Sequence, residues 1–164
     1  TQAERFLMEN CSAVGYRFAT AFGISPRMRL DLLINDFVFQ AVKRKNLIIY
    51  EKAFKRTFIH VRDMALAFLF AIENFDRMHA NVYNVGPESM NYSKEDLAAI
   101  VRKKADFYLH YADIGKDEDQ RNYEVSYKKI AATGYRTTIS VEDGIDELIR
   151  AFQVIDVRNP YSNV

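Results

Sequence analysis

The chain has a single cysteine, Cys11, three prolines, six glycines and no tryptophan. One cysteine excludes an intrachain disulfide and a cysteine-rich metal site. So few prolines and glycines leave no Pro/Gly-rich linker, and neither an internal repeat nor a low-complexity tract is visible. No sign of charge dominates: 23 basic and 22 acidic residues give a formal net charge of +1. That balance supplies no broad field for nucleic acid, and no basic-aromatic stripe accompanies it. An anion would have to be met by individually placed arginines. The longest apolar run, around residues 65–72, is too short to cross a bilayer. No signal peptide opens the chain, so no membrane partner and a cytoplasmic location are expected. The glycosylation-like triplets at Asn10 and Asn91 are then chance matches.

Apolar residues, by contrast, are plentiful. Hydrophobic residues make up 49% of the 164, including 12 Phe and 10 Tyr. A domain of this length buries about 70% of its unfolded-chain surface, so a substantial core is within reach. Ala3, Phe6, Leu7 and Asn10 recur at helical spacing. Residues 13–22 read as one buried strand closed by Gly23, followed by a Gly/Pro turn. Asp31 is expected to cap a helix running to about Arg44. Residues 46–50 and 57–61 read as strands, 62–74 as a mostly buried helix, and 81–85 as a strand ended by Gly86-Pro87. Ser93 and Asp96 form a capping box ahead of a helix to about Ala105. Residues 107–111 read as a strand, 113–119 as a solvated acidic loop, and 126–132 and 141–152 as helices. Residues 159–164 read as a loose tail. Alternation of this kind predicts an α/β fold.

Several segments carry a family resemblance. Residues 16–23, Tyr-Arg-Phe-Ala-Thr-Ala-Phe-Gly, resemble the L-R-[FY]-x-N-x-[FY]-G segment of nucleotide-sugar epimerases. Residues 55–63, Lys-Arg-Thr-Phe-Ile-His-Val-Arg-Asp, are similar to R-D-[FY]-I-H-V-x-D. Residues 81–86 resemble V-[FY]-N-[VI]-G, and Arg121, Gly134-Tyr135 and Glu142-Asp143-Gly144-Ile145 follow the closing pattern. In this order and spacing the chain resembles the NAD-dependent epimerase/dehydratase family, the extended short-chain dehydrogenase/reductases.

The resemblance implies the C-terminal part of such an enzyme. Residues 1–164 would form one substrate-binding region, with 1–23 the last helix and strand of the Rossmann-type domain. The segment Thr1-Gln2-Ala3-Glu4-Arg5 is similar to the residues just after the lysine of Y-x-x-x-K, which puts the cofactor-binding part outside this chain. No tyrosine here has a lysine four positions on, and no G-x-G-x-x-G or G-x-x-G-x-x-G exists. NAD is therefore the cofactor implied for the complete enzyme, and this chain alone is expected to catalyse nothing. The implied partner is a UDP-, GDP- or similar sugar nucleotide, and the first helix is either core or part of a homodimer bundle.

By its place in the resemblance, Arg56 contacts the substrate diphosphate and Arg121 is a second such arginine. For any lone arginine, pairing with a surface carboxylate is the bland alternative. Thr20 stands where the family has an asparagine that meets the substrate; a buried strand threonine is the other reading. Phe18 either lines the nicotinamide end or is plain core. Asn35, with Asp36 and Phe37, lies on the helix that faces the base in relatives. His60 is expected to be packed and hydrogen-bonded, and Asp63 to cap a helix; His79 and His110 lack partners at metal-ligand spacing.

Overall fold

The computed structural model describes residues 2–112 and 122–155. Arg121, the acidic loop and the expected tail at 159–164 lie outside the described residues. In chain order the helices are α1 (Gln2–Asn10), α2 (Leu33–Phe39, continued by a π-helical turn over Gln40–Arg44), α3 (Val61–Glu73), α4 (Phe75–Met78), α5 (Lys94–Arg102), α6 (Lys128–Ala131) and α7 (Val141–Val154). The strands are β1 (Val14–Phe18), β2 (Thr20–Phe22), β3 (Asn46–Tyr50), β4 (Lys55–His60), β5 (Asn81–Val85), β6 (Asn91–Ser93) and β7 (Tyr108–Ala112).

The expected single strand over 13–22 is two strands. β1 runs parallel to β5, and Ala19 prolongs that ladder by donating its N–H to the Val85 carbonyl at 2.9 Å. The chain then changes neighbours: β2 runs parallel to β4, with Thr20 opposite Phe58 and Phe22 opposite His60. β4 also pairs antiparallel with β6, and β3 pairs parallel with β7. β4 is thus the middle strand of its sheet, covered on both faces, which suits its nearly continuous burial. Side chains alternate across it. Phe58 joins a core built with Phe22, Leu97, Leu148 and Phe152, while the next residue, Ile59, joins a second core with Met78, Tyr83 and Tyr127.

Helix starts follow local chemistry in two places and depart from it in one. Ser93 accepts from the Asp96 N–H while the Asp96 carboxylate accepts from the Ser93 N–H, completing the expected box. Ser140 caps α7 in the same way, accepting from the Asp143 N–H at 3.1 Å. Asp31, however, caps nothing: it pairs with Arg29, and α2 begins after Leu32 with no side-chain cap. A nearby guanidinium has outcompeted the backbone amide for that carboxylate.

The α3 helix also differs from expectation. Only Asp63, Ala67 and Ala71 are buried on it, whereas Leu66, Phe68 and Leu69 are exposed and Ile72 is 72% exposed. On α1, Phe6 and Leu7 are likewise exposed and no residue is buried. Asp63 is not a cap. Its carboxylate is fully buried and accepts from the Thr138 N–H, the Thr138 hydroxyl and the Ile139 N–H. Tyr135 completes the tie by donating its hydroxyl to the Asp63 carbonyl. His60 caps α3, its Nδ1 accepting from the Arg62 N–H at 3.2 Å, and burial lowers its pKa, favouring the neutral ring.

Tyr16 gives a pH signature. Its hydroxyl donates to the Ala67 carbonyl at 2.8 Å, and burial pushes its pKa from 10.0 up to about 12. A raised folded-state pKa contributes stability that is complete below the unfolded value and disappears as pH climbs through the folded value. Denaturant midpoints are expected to fall between about pH 10 and 12, and to fall less steeply in Tyr16→Phe. Identical alkaline slopes for the two proteins would remove Tyr16 from this role.

Candidate functional site

A cleft of about 250 Å³ opens between α2 and the strands β2, β3 and β4. Arg56 and Thr20 both line it, so two of the residues singled out in the sequence meet in one concavity. β4 is the reason. Arg56 lies two residues before Phe58 on that strand, and Phe58 is the register partner of Thr20. Their side chains therefore share one face.

Arg56 is only 5% exposed, although it carries a charge that burial penalises. Its Nη1 donates to the Lys55 carbonyl at 2.9 Å, and its guanidinium sits 5.7 Å from the Tyr123 ring centroid. Those contacts orient the fork. A second cation lines the cleft: Lys94, 2% exposed, donates from Nζ to the Tyr50 carbonyl at 3.0 Å. Opposite-signed groups are present in the same cavity. Asp31 and Asp36 line it together with Gln40, which donates to the Asp36 carboxylate at 2.7 Å. The Arg29 guanidinium beside Asp31 holds its carboxyl below the usual carboxylate range. The cleft can thus meet an anion through its cations and N–H or O–H donors through its carboxylates.

On α2 the lining residues are Leu33, Asp36, Phe37 and Gln40, at helical spacing on one face. Asn35 is off that face. It is 3% exposed, accepts from the Gly23 N–H at 3.0 Å and donates to the Arg29 carbonyl at 2.9 Å. Its amide ties the loop after β2 to α2 and does not line the cleft; Asp36 and Phe37, next to it, do. Phe18 also stands apart. It closes β1 in the other sheet, 5.4 Å from the rings of Tyr16 and Phe68. Lys94, Tyr50 and Gln40 are lining residues that the sequence reading does not single out. Lys94 carries one available signal: a lysine at the first position of a capped helix opposes the helix dipole.

Two further residues of the 55–63 motif find structural partners. Thr57, where the family has an aspartate, bonds the Tyr127 hydroxyl at 2.5 Å in a buried contact. Arg62 pairs with Glu147 at 2.5 Å on the surface. Among the described residues, no group of three His, Cys, Asp or Glu could hold a metal ion. No helix among them is long and apolar enough to cross a membrane. The sequence holds neither a glycine-rich G-x-G-x-x-G or G-x-x-G-x-x-G turn nor a Y-x-x-x-K pair.

Parallel strand pairs covered by helices, with a charged cleft on the central strand β4, make an α/β unit. Residues 3–86, half of the chain, match the NAD dependent epimerase/dehydratase family, and the chain belongs to that family. Among solved structures, it is similar to the UDP-glucose 4-epimerase of Thermus thermophilus in complex with NAD. That match has a TM-score of 0.75 at 17% identity, covering 93% of this chain and 50% of the other. RMD from Pseudomonas aeruginosa complexed with NADPH gives 0.74 at 17%, covering 92% and 53%. UDP-glucuronic acid 4-epimerase from Bacillus cereus, in complex with UDP-glucuronic acid and NAD, gives 0.73 at 19%, covering 93% and 49%. At these identities the likeness establishes the fold, an extended short-chain dehydrogenase/reductase fold in part. This chain spans about half the length of the structures it matches.

Proposed function

We propose that this chain is the substrate-binding portion of an NAD-dependent nucleotide-sugar epimerase or dehydratase. In the complete enzyme a sugar carbinol would be oxidised to a ketone, its C–H hydrogen leaving as hydride to NAD and its O–H proton passing to a base. The chain's own part is to bind and orient the sugar nucleotide. The supporting observation is Arg56, 5% exposed yet lining a cleft that Thr20 and the α2 carboxylates also line. In this reading Arg56 takes the diphosphate with Arg121 as a second contact. Thr20 meets the sugar, Phe18 stands toward the nicotinamide, and the α2 face of Leu33, Asp36 and Phe37 takes the place first assigned to Asn35.

Calorimetry with a UDP-sugar and a GDP-sugar tests the assignment. Arg56→Ala is expected to weaken binding roughly 10- to 100-fold, since a desolvated charge pair loses about 2 kcal/mol or more when one partner goes. Arg56→Lys keeps the charge without the fork and falls between. Equal affinities for wild type and Arg56→Ala would remove Arg56 from the site.

A second reading is a non-catalytic interaction module derived from this fold. The exposed Leu66, Phe68, Leu69 and Ile72 on α3 favour it, because a contiguous apolar face is normally covered. The exposed Phe6 and Leu7 of α1 are the corresponding candidates for a homodimer contact. Arg56-independent binding, or no binding at all, would favour this reading over the first.

A further inference from the structure

A second cavity, of about 440 Å³, shares no lining residue with the cleft. Lys43, Lys45 and Lys104 line it together with Ile149 and Phe152, and Asp106 is the one carboxylate among its lining residues. The sequence holds two runs of three consecutive cations, Lys43-Arg44-Lys45 and Arg102-Lys103-Lys104. The fold sets them side by side. The Tyr108 N–H donates to the Lys45 carbonyl at 2.9 Å, and β3 and β7 run in parallel from Asn46 and Tyr108. β3 then reaches the cleft at Tyr50, roughly 13 Å further on. Helix ends explain part of the charge, because a cation suits the last turn of a helix. The α2 π-turn ends at Arg44, α5 at Arg102 and α7 at Val154, each with roughly half a negative charge at its carbonyl end. Set against those ends, Asp106 and Asp146, the two basic runs leave an excess of roughly two to three positive charges. Dipole compensation does not need that excess.

We propose that this cavity binds a small polyanion carrying two or more phosphoryl groups, at a site separate from the cleft. Lys104 Nζ meets Asp146 at 2.5 Å, whereas among the described residues Lys43 and Lys45 meet no carboxylate. Lys45 also takes a left-handed backbone, φ 57, at a helix end where glycine or asparagine is the usual residue. A lysine stands there against backbone preference. The lining cations are all lysines, which meet phosphate as compact point charges, while a planar carboxylate is better matched by a guanidinium fork. A single charge gains little from one exposed lysine in water, so several anionic groups on one molecule are needed. The volume falls within the range of about 300–1,000 Å³ that suits a small molecule. The site stands whether or not the cleft takes a sugar nucleotide.

Calorimetry with inorganic tripolyphosphate, orthophosphate and citrate at near-physiological salt tests this. The proteins are wild type, Lys43→Gln/Lys45→Asn, Lys128→Gln/Lys129→Gln and Arg56→Ala. Wild type is expected to bind tripolyphosphate at least about tenfold more tightly than either other anion. Lys43→Gln/Lys45→Asn is expected to lose about tenfold, and its asparagine suits the left-handed backbone. Removing the same charge at Lys128 and Lys129, or removing Arg56, should leave that binding unchanged. Vesicles carrying a bisphosphorylated inositol lipid separate the two sources of such phosphates: both probes bind if a headgroup is the ligand, tripolyphosphate alone if a soluble one is. Equal wild-type affinity for citrate and tripolyphosphate overturns the phosphoryl assignment, even if the lysine variant does not fold. An equal loss in the two lysine pairs overturns the site, since net charge alone would then account for binding. A loss that follows Arg56→Ala and not Lys43→Gln/Lys45→Asn also overturns it, while supporting the assignment of Arg56 to an anion in the cleft.

Discussion

Asp63→Ala is expected to lower the free energy of unfolding by about 3–5 kcal/mol, the cost of breaking up a buried, charge-assisted set of bonds. Three donors converge on this fully buried carboxylate: the Thr138 N–H at 3.0 Å, the Thr138 hydroxyl at 2.9 Å and the Ile139 N–H at 3.1 Å. Alanine leaves both amides without their acceptor in the interior. Domains are stable by only about 5–15 kcal/mol, so the loss is a large fraction of the total. Asp63→Asn keeps one acceptor oxygen and is expected to lose less. Chemical denaturation of the three proteins checks the order, and an alanine variant within about 1 kcal/mol of wild type would show that the clamp is dispensable.

Gly144→Ala poses a contest between two effects of opposite sign. Helix propensity favours alanine over glycine by about 1 kcal/mol in the interior of a helix such as α7. Packing opposes it. A Cβ at residue 144 would lie 2.3 Å from Phe22 Cε2 and 3.1 Å from His60 Cδ2, and both of those side chains are fully buried. Neither ring has a free end to swing away, so overpacking outweighs propensity and a net loss of about 2 kcal/mol is expected. Phe22→Leu in the Gly144→Ala background is expected to recover part of it, giving a coupling energy in a double-mutant cycle. A Gly144→Ala protein more stable than wild type would mean that the Phe22 ring can move. The close approach also gives a physical reason for the glycine in the Glu142-Asp143-Gly144-Ile145 motif: α7 crosses β2 and β4 at a point where no side chain fits.

How far the sequence can be read depends on how local each signal is. β3 and β5 are legible to the residue because short runs carrying Ile, Val and Tyr hold the signal locally, and Gly86-Pro87 ends β5. The α5 capping box is legible because its donors and acceptors lie within four residues of one another. The burial of α3 departs from expectation for a related reason. Composition reports how apolar a helix is, and Leu66, Phe68, Leu69 and Ile72 are apolar, but it says nothing of which neighbours cover them. For the cleft, the motif resemblance singles out Arg56 and Thr20, which do share it, and Asn35, which lies one step around α2 from the residues that do.

The order of segments, the caps and the alternating faces of β4 follow from residues close to one another along the chain, because backbone geometry repeats every 2 or 3.6 residues and needs no distant partner. Three matters were settled only when distant segments met. One was the break at Ala19, which sends Phe18 to one sheet and Thr20 to another. Another was the diversion of Asp63 to Thr138 and Ile139, which left the cap of α3 to His60. The last was the gathering of Arg56, Lys94 and Asp36 around one cavity. Strand register and helix docking set these, and they depend on surfaces that lie far apart in sequence until the core brings them together.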